Sequence, residues 1–237
     1  MNSKYWLYLF FADLLAELTA TALRWNDVRL FTKPLLIVFL FIWCMLSSVK
    51  FLPLRYCIAA ALFFSWAGDV FLLREAKGGG WFIAGLGSFL LAHIMYIIFF
   101  LRVRRKQSMP IQWNYYIITG IAFYSVSLFG FLYPYIGNLK LPVGVYAITI
   151  AAMLICAVHA FNKNTKDAAR YCITGAALFV ISDSLLALNK FYYSFTGAGV
   201  CIMLTYGLAQ FAIIKGSLLY LADENTSLAQ NGGKKYI

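Results

Sequence analysis

Charge is scarce in this chain: 12% of its 237 residues are Asp, Glu, Lys or Arg, against about 25% for a soluble domain. Acidic side chains are rarer still, nine against 20 basic ones. With 62% hydrophobic residues and a mean hydropathy of +0.76, the chain is neither an ordinary soluble protein nor a disordered one. Only two histidines are present, and they fall on different segments at different depths, too few for a zinc hydrolase with about three protein ligands. The five cysteines form no Cys-x-x-Cys pair and read as packing or lipid-facing residues. No P-loop, dinucleotide fingerprint or Gly-x-Ser-x-Gly elbow occurs, so no nucleotide, metal or redox cofactor is implied.

What is abundant is long apolar sequence. Eight apolar segments lie near residues 4–23, 33–50, 55–73, 81–102, 112–133, 142–161, 171–190 and 196–219, each close to the ~20 residues that cross a bilayer. The expected fold is an all-α integral membrane protein of eight transmembrane helices. It forms one domain over 1–220, followed by a polar, flexible cytoplasmic tail at 221–237. Pro34 and Pro142 are read as first-turn residues that mark helix starts. Asp13 and Glu17 interrupt the first segment, so it is read as a span and not as a cleaved signal peptide, although Ala20-Thr21-Ala22 looks like a cleavage site.

The net charge of +11 sits mostly between the segments, which argues for topology and against nucleic acid. The side shared by both termini carries Lys4, Lys50, Arg55, Arg102, Arg104, Arg105, Lys106, Lys163, Lys166, Arg170, Lys215, Lys234 and Lys235. The other side carries Arg24, Arg29, Lys33, Arg74, Lys77, Lys140 and Lys190. The positive-inside rule then places both termini in the cytoplasm.

Aligning Gly68-Asp69-Val70-Phe71-Leu72 with Ser182-Asp183-Ser184-Leu185-Leu186 also brings Gly85 onto Gly199 and Tyr96 onto Gln210. The third and fourth segments thus echo the seventh and eighth. That is the register of two parallel four-helix repeats, though short apolar runs also align by chance.

Ionisable groups inside a membrane face the bundle interior and mark functional sites by default. Asp69 lies roughly 8 Å from the non-cytoplasmic helix end, and Asp183 and Glu17 roughly 10 Å from theirs, so three carboxyl groups share one depth. His93 with Tyr96, and Tyr206 with Gln210, are polar pairs on one helix face, and together they point to a single interior cavity. Lys190 and Lys33 at its mouth suit a phosphate headgroup, although snorkelling to the interface accounts for them equally well. Two carboxyl groups at matched depth suit acid–base work, one holding a proton while the other is ionised. Asp69 and Asp183 are therefore the candidate catalytic pair. A structural hydrogen bond between helices is the plainer alternative.

The run Gly68-Asp69, Phe82, Gly85, Phe89, Ala92-His93-Ile94-Met95-Tyr96, then Gly175-Ala176-Ala177-Leu178-Phe179-Val180-Ile181-Ser182-Asp183, Asn189-Lys190-Phe191, and Thr205-Tyr206 with Gln210 resembles the YhhN-like lysoplasmalogenase membrane proteins. Thr32-Lys33-Pro34-Leu35 is similar to their second-helix start, and the resemblance spans residues 31–214. Each dipeptide alone is weak; the order, spacing and eight-span context are specific together. The resemblance implies hydrolysis of a lysoplasmalogen vinyl ether to a fatty aldehyde and glycerophosphoethanolamine or glycerophosphocholine. Asp69 and Asp183 would be the catalytic residues, and His93, Tyr96, Lys190, Lys33, Asn189, Tyr206 and Gln210 would contact the substrate. Glu17 joins this set by depth alone. The partners implied are a lysophospholipid and the bilayer; no oligomeric state is read. A proton-coupled transporter or flippase of a lipid or small amphiphile is the alternative, since parallel repeats with intramembrane carboxylates occur there too. A lipid-binding protein without activity also stays open.

Overall fold

The computed structural model describes residues 4–47, 53–75, 78–107, 113–162 and 165–233. Lys50, Lys77, Lys163, Lys234 and Lys235, which entered the topology count, lie outside the described residues. Eight long helices follow one another: α1 (Lys4–Ala22), α2 (Asn26–Leu46), α3 (Pro53–Leu72), α4 (Gly79–Lys106), α5 (Tyr115–Leu132), α6 (Lys140–His159), α7 (Lys166–Ala187) and α8 (Ala198–Gly233). A five-residue π turn, Leu188–Tyr192, extends α7, and no strand occurs among the described residues. Seven of the helices are long and apolar enough to cross a membrane, so this is a multi-pass membrane protein. The eighth, α1, carries Asp13 and Glu17 within its 19 residues and is not among those seven.

Several boundaries differ from those expected, for identifiable reasons. α2 begins at Asn26, with Asp27 in its first turn, where a negative charge favours a helix start. Pro34 therefore lies inside the helix, about two turns beyond the position that costs nothing, and does not mark its start. Pro142 does sit in the first turn of α6. α4 absorbs Arg102, Arg104, Arg105 and Lys106, because basic residues in a last turn complement the helix dipole. α8 runs on to Gly233, well past residue 220; Ala, Leu, Glu and Gln in that stretch are all good helix formers.

Close pairing of α3 with α4 and of α7 with α8 organises the bundle. Small residues make the approach possible. At Gly175 an added Cβ would stand 2.8 Å from the backbone of Ala209 and Ile213, and at Gly216 it would stand 2.8 Å from that of Ala168 and Cys172, so α7 and α8 interlock backbone to backbone. Gly68 gives way to the Phe89 ring, and Gly85 to Leu72, in the α3–α4 pair. Phe10, Leu36, Leu40, Ile58, Tyr96, Phe99, Phe100 and Phe179 fill the core between the pairs. α5 stands apart: of its residues only Leu132 is buried, and it rests on α6 and the π turn.

Candidate active site

Two polar clusters sit inside the bundle toward the membrane side where α3 and α7 end. The first is built on i, i+4 pairs of two facing helices. Ser65 and Asp69 project from α3, and Tyr206 and Gln210 from α8. Tyr206 donates its hydroxyl to Asp69 Oδ2 at 2.7 Å, while the Gln210 amide donates to Ser65 Oγ at 2.9 Å and to Tyr206 Oη at 3.4 Å. Tyr96 of α4 completes it, donating to Gln210 Oε1 at 2.7 Å. Lys33 Nζ lies 3.6 Å from Asp69 Oδ1, and only 1% of the Asp69 side chain is exposed. Asp69 is thus a sealed, paired carboxylate.

Glu17 is fully buried beside this cluster. Thr32 donates to its Oε2 at 2.5 Å, and Arg29 and Thr21 reach its Oε1 at 3.1 and 3.2 Å. Both oxygens are occupied, so Glu17 fastens α1 to the start of α2 and sets the position of Lys33, the neighbour of Thr32. Asp13, one turn deeper on α1, keeps one buried oxygen without a partner.

The second cluster surrounds Asp183, which is half-buried. Tyr146 of α6 donates to its Oδ2 at 2.5 Å. His93 stands edge-on to Tyr146 and to Phe179, with ring centroids 5.4 and 4.8 Å away. Both His93 ring nitrogens are buried and unpartnered. Phe179 and Phe89 in turn pack on Tyr206 at 5.6 and 5.8 Å, and these aromatic rings stand between the two clusters. Asp69 and Asp183, expected at a common depth, thus have separate hydrogen-bond partners, Tyr206 of α8 and Tyr146 of α6. Among the described residues no hydrogen bond or ion pair links Asp69 to Asp183. Depth along a helix is set by sequence number, but each aspartate is claimed by a tyrosine of a different neighbour. His93 and Tyr96 likewise part company: Tyr96 faces Gln210, and His93 faces Asp183's partner.

Three adjoining spaces lead to Asp183. A vestibule of about 780 Å³ opens at the membrane surface, with Asn26, Arg29, Lys33, Glu75, Phe82 and Lys190 in its wall. Lys190 ion-pairs with Glu75 at the rim and lies 5.0 Å over the Phe82 ring. Below it, sharing Leu72, Phe82 and Lys190, is a small chamber lined by Phe89, Tyr146 and Asp183. Sharing Val143, Tyr146, Asp183 and Ala187 with that chamber, an apolar cleft lies between α5, α6 and α7. Asn189, on the π turn beside Lys190, holds a buried, unpartnered Oδ1.

Of the residues singled out by sequence, the fold brings Lys33, Asp69, Tyr96, Tyr206 and Gln210 into one network, sets Asp183 and Lys190 in the chamber wall, and holds His93 behind Tyr146. Sequence reasoning gave no site role to Arg29, which it counted only for topology, or to Thr32, which it named only in the resemblance, and missed Tyr146, Ser65 and Glu75. Tyr146 carried one usable signal: it lies 113 residues after Lys33, so the partner of Asp183 nearly repeats the register of the partner of Asp69. Among the described residues no three His, Cys, Asp or Glu side chains gather as a metal site would need.

A protein named lysoplasmalogenase from Mycobacterium bovis is 30% identical over 164 residues, covering 68% of this chain and 60% of the relative. The chain thus spans about three fifths of that relative's length. Lysoplasmalogenase TMEM86A of Bos taurus is 30% identical over 206 residues, covering 83% of this chain and 80% of its own. Lysoplasmalogenase TMEM86B of Rattus norvegicus is 26% identical over 195 residues, covering 82% and 74%. No solved structure matches the chain. The family model described as the YhhN family matches residues 28–217, from the first turn of α2 through the α7–α8 interlock; that stretch holds both aspartates and every candidate site residue named from the sequence but Glu17, and the chain belongs to the YhhN family.

Proposed function

We propose that this protein hydrolyses the vinyl ether bond of lysoplasmalogens, as its relatives' names say of them, and that Asp183 is the acid. The observation that carries the assignment is that Asp183 lines both the chamber and the apolar cleft, whereas Asp69 is sealed behind its ion pair. A lysophospholipid laid along these spaces puts its phosphate among Arg29, Lys33 and Lys190 and its first chain carbons at Asp183.

Vinyl ether cleavage begins when a carboxylic acid delivers a proton to the alkenyl carbon remote from oxygen. The Asp183 carboxylate left behind steadies the oxocarbenium ion, as a carboxylate does in glycosidases. Water adds to the carbon next to oxygen, and the hemiacetal collapses to a fatty aldehyde and a glycerophospho-alcohol, one water consumed per bond broken. Tyr146 fixes the orientation of the Asp183 carboxyl. His93, with two unpartnered nitrogens beside Tyr146, suits the holding of that water. Asp69, with Tyr206, Gln210 and Tyr96, positions Lys33 and does not touch the substrate. Asp69 is thus a positioning residue here, a narrower role than an equal catalytic pair. Both termini lie in the cytoplasm on this reading, and the vestibule faces the opposite side of the cell membrane.

Aldehyde release from 1-alkenyl-lysophosphoethanolamine by the purified, detergent-solubilised protein tests the proposal. Wild type should turn over, and Asp183→Asn should lose about two orders of magnitude or more, the usual contribution of a general acid. An Asp183→Asn protein as active as wild type would sink the assignment; a folded wild type releasing no aldehyde from ethanolamine or choline substrates would sink the activity.

A further inference from the structure

The cleft between α5 and α7 has a feature that the headgroup vestibule lacks: it faces lipid. Its wall is apolar, with Leu128, Phe129, Val143, Ala147, Ile150 and Val180, and it follows α7 from Val180 to Ala187, about 10 Å of helix. Asp183 lines it midway along that stretch. The outer wall, α5, carries Phe123 and Val126 at 73% and 70% exposure on its other face, as a helix against lipid does.

α5 is also the least anchored span. Asn114 caps its start, accepting from the backbone N–H groups of Tyr116 and Ile117. At its far end Phe131 and Tyr135 stand edge-on to Tyr192 of the π turn, with ring centroids 4.8 and 5.1 Å away. Between these ends a hydrogen bond crosses to α7: Tyr124 donates to Ser184 Oγ at 2.8 Å, and the Ser184 hydroxyl in turn donates to Val180 O at 2.7 Å. As it stands the cleft holds about 70 Å³, below the ~300–1,000 Å³ of pockets that enclose a ligand. An occupant must part α5 from α7, and it would break the Tyr124–Ser184 bond first.

We infer that this cleft is the groove for the substrate's alkenyl chain, entered sideways from the bilayer, and that the Tyr124–Ser184 bond is the latch that closes it. The inference rests on the proposed ether hydrolysis for its substrate. The occupant follows from the surroundings: an unbranched hydrocarbon chain suits the apolar wall of the cleft, and the vestibule next to the same chamber, with Arg29, Lys33 and Lys190 set against Asp27 and Glu75, receives the other end of a lysophospholipid. Chain reach along α5 then sets chain-length preference, and Ala147 and Leu128 are the selecting residues.

Two measurements test this, one independent of turnover. An alkyl-lysophosphoethanolamine carrying a diazirine at its chain end is photolysed with wild-type protein in nanodiscs, and the labelled peptides are mapped by mass spectrometry. Labels within residues 115–132 and 140–150 are expected. Labels confined to the lipid-facing groove of Ile37, Phe41, Phe63 and Trp66 on α2 and α3 would overturn the inference, whatever the enzyme's activity. Aldehyde release is then measured across chain lengths. Ala147→Phe should lose the longest chains at least ten-fold while keeping short ones. Tyr124→Phe should lower KM for long chains about three-fold at unchanged kcat, the usual worth of one hydrogen bond between membrane helices. A chain-length profile identical to wild type in Ala147→Phe, with labelling absent from α5 and α6, refutes the groove. An inactive wild type that labels α5 and α6 refutes ether hydrolysis and keeps the groove.

Discussion

Replacing Lys33 by Met isolates the cost of a charge sealed in the bundle. The Lys33 Nζ is 3.6 Å from Asp69 Oδ1, with 10% and 1% of the two side chains exposed. At that separation and an effective dielectric near 20, the attraction amounts to about 4–5 kcal/mol. Breaking a buried pair by removing one partner costs about 3–5 kcal/mol, because the other charge stays buried without compensation. The Tyr206 bond at 2.7 Å is present before and after, so it does not offset the loss. For a chain of this size each kcal/mol lowers Tm by about 2–4 °C, which places Lys33→Met roughly 6–20 °C below wild type. Adding Asp69→Asn removes the orphan charge while its side-chain oxygen still accepts from Tyr206, so the double variant should regain more than half of the loss. Tryptophan fluorescence during heating in detergent reads both. A single variant within about 2 °C of wild type, or a double variant no more stable than the single, would refute the argument that Asp69 is a sealed ion pair.

Other variants probe the packing and the vestibule. Gly175→Ala forces a methyl to within 2.8 Å of the α8 backbone and should cost about 1–3 kcal/mol by overpacking, whereas Gly87→Ala, with nothing within 4 Å of the new methyl, should be neutral or gain about 0.5–1 kcal/mol; thermal unfolding of the two separates them. Asn114→Ala removes the cap of α5 and should cost about 1 kcal/mol, visible as faster hydrogen exchange confined to the first turn of that helix. Lys190→Ala should raise KM about ten-fold with kcat unchanged, the worth of one charged hydrogen bond to the headgroup; an unchanged KM would remove Lys190 from phosphate binding.

The sequence by itself determined the class of the protein and the depth of its chemistry. Low charge and long apolar runs leave no fold but a helical bundle in a bilayer, because only a helix satisfies its own backbone there. A fixed rise per residue put Asp69, Asp183 and Glu17 at one level before any contact was known. Helix spacing also paired Tyr206 with Gln210, and both were found bonded across to α3. What no one-dimensional reading supplied was azimuth between helices. Whether two carboxylates at one depth share a cavity depends on which neighbour each faces, and that is fixed by the α7–α8 interlock at Gly175 and Gly216 and by the packing of Phe89 on Gly68. Tertiary packing therefore decided that Asp69 is sealed against Lys33 and Tyr206, that Glu17 is a fastening between α1 and α2, and that Asp183 lines the chamber and the cleft. It also gave Asp183 its Tyr146 partner from a helix that carries no charge near that level. A tyrosine in an apolar run looks like any other packing residue until the helix beside it is known.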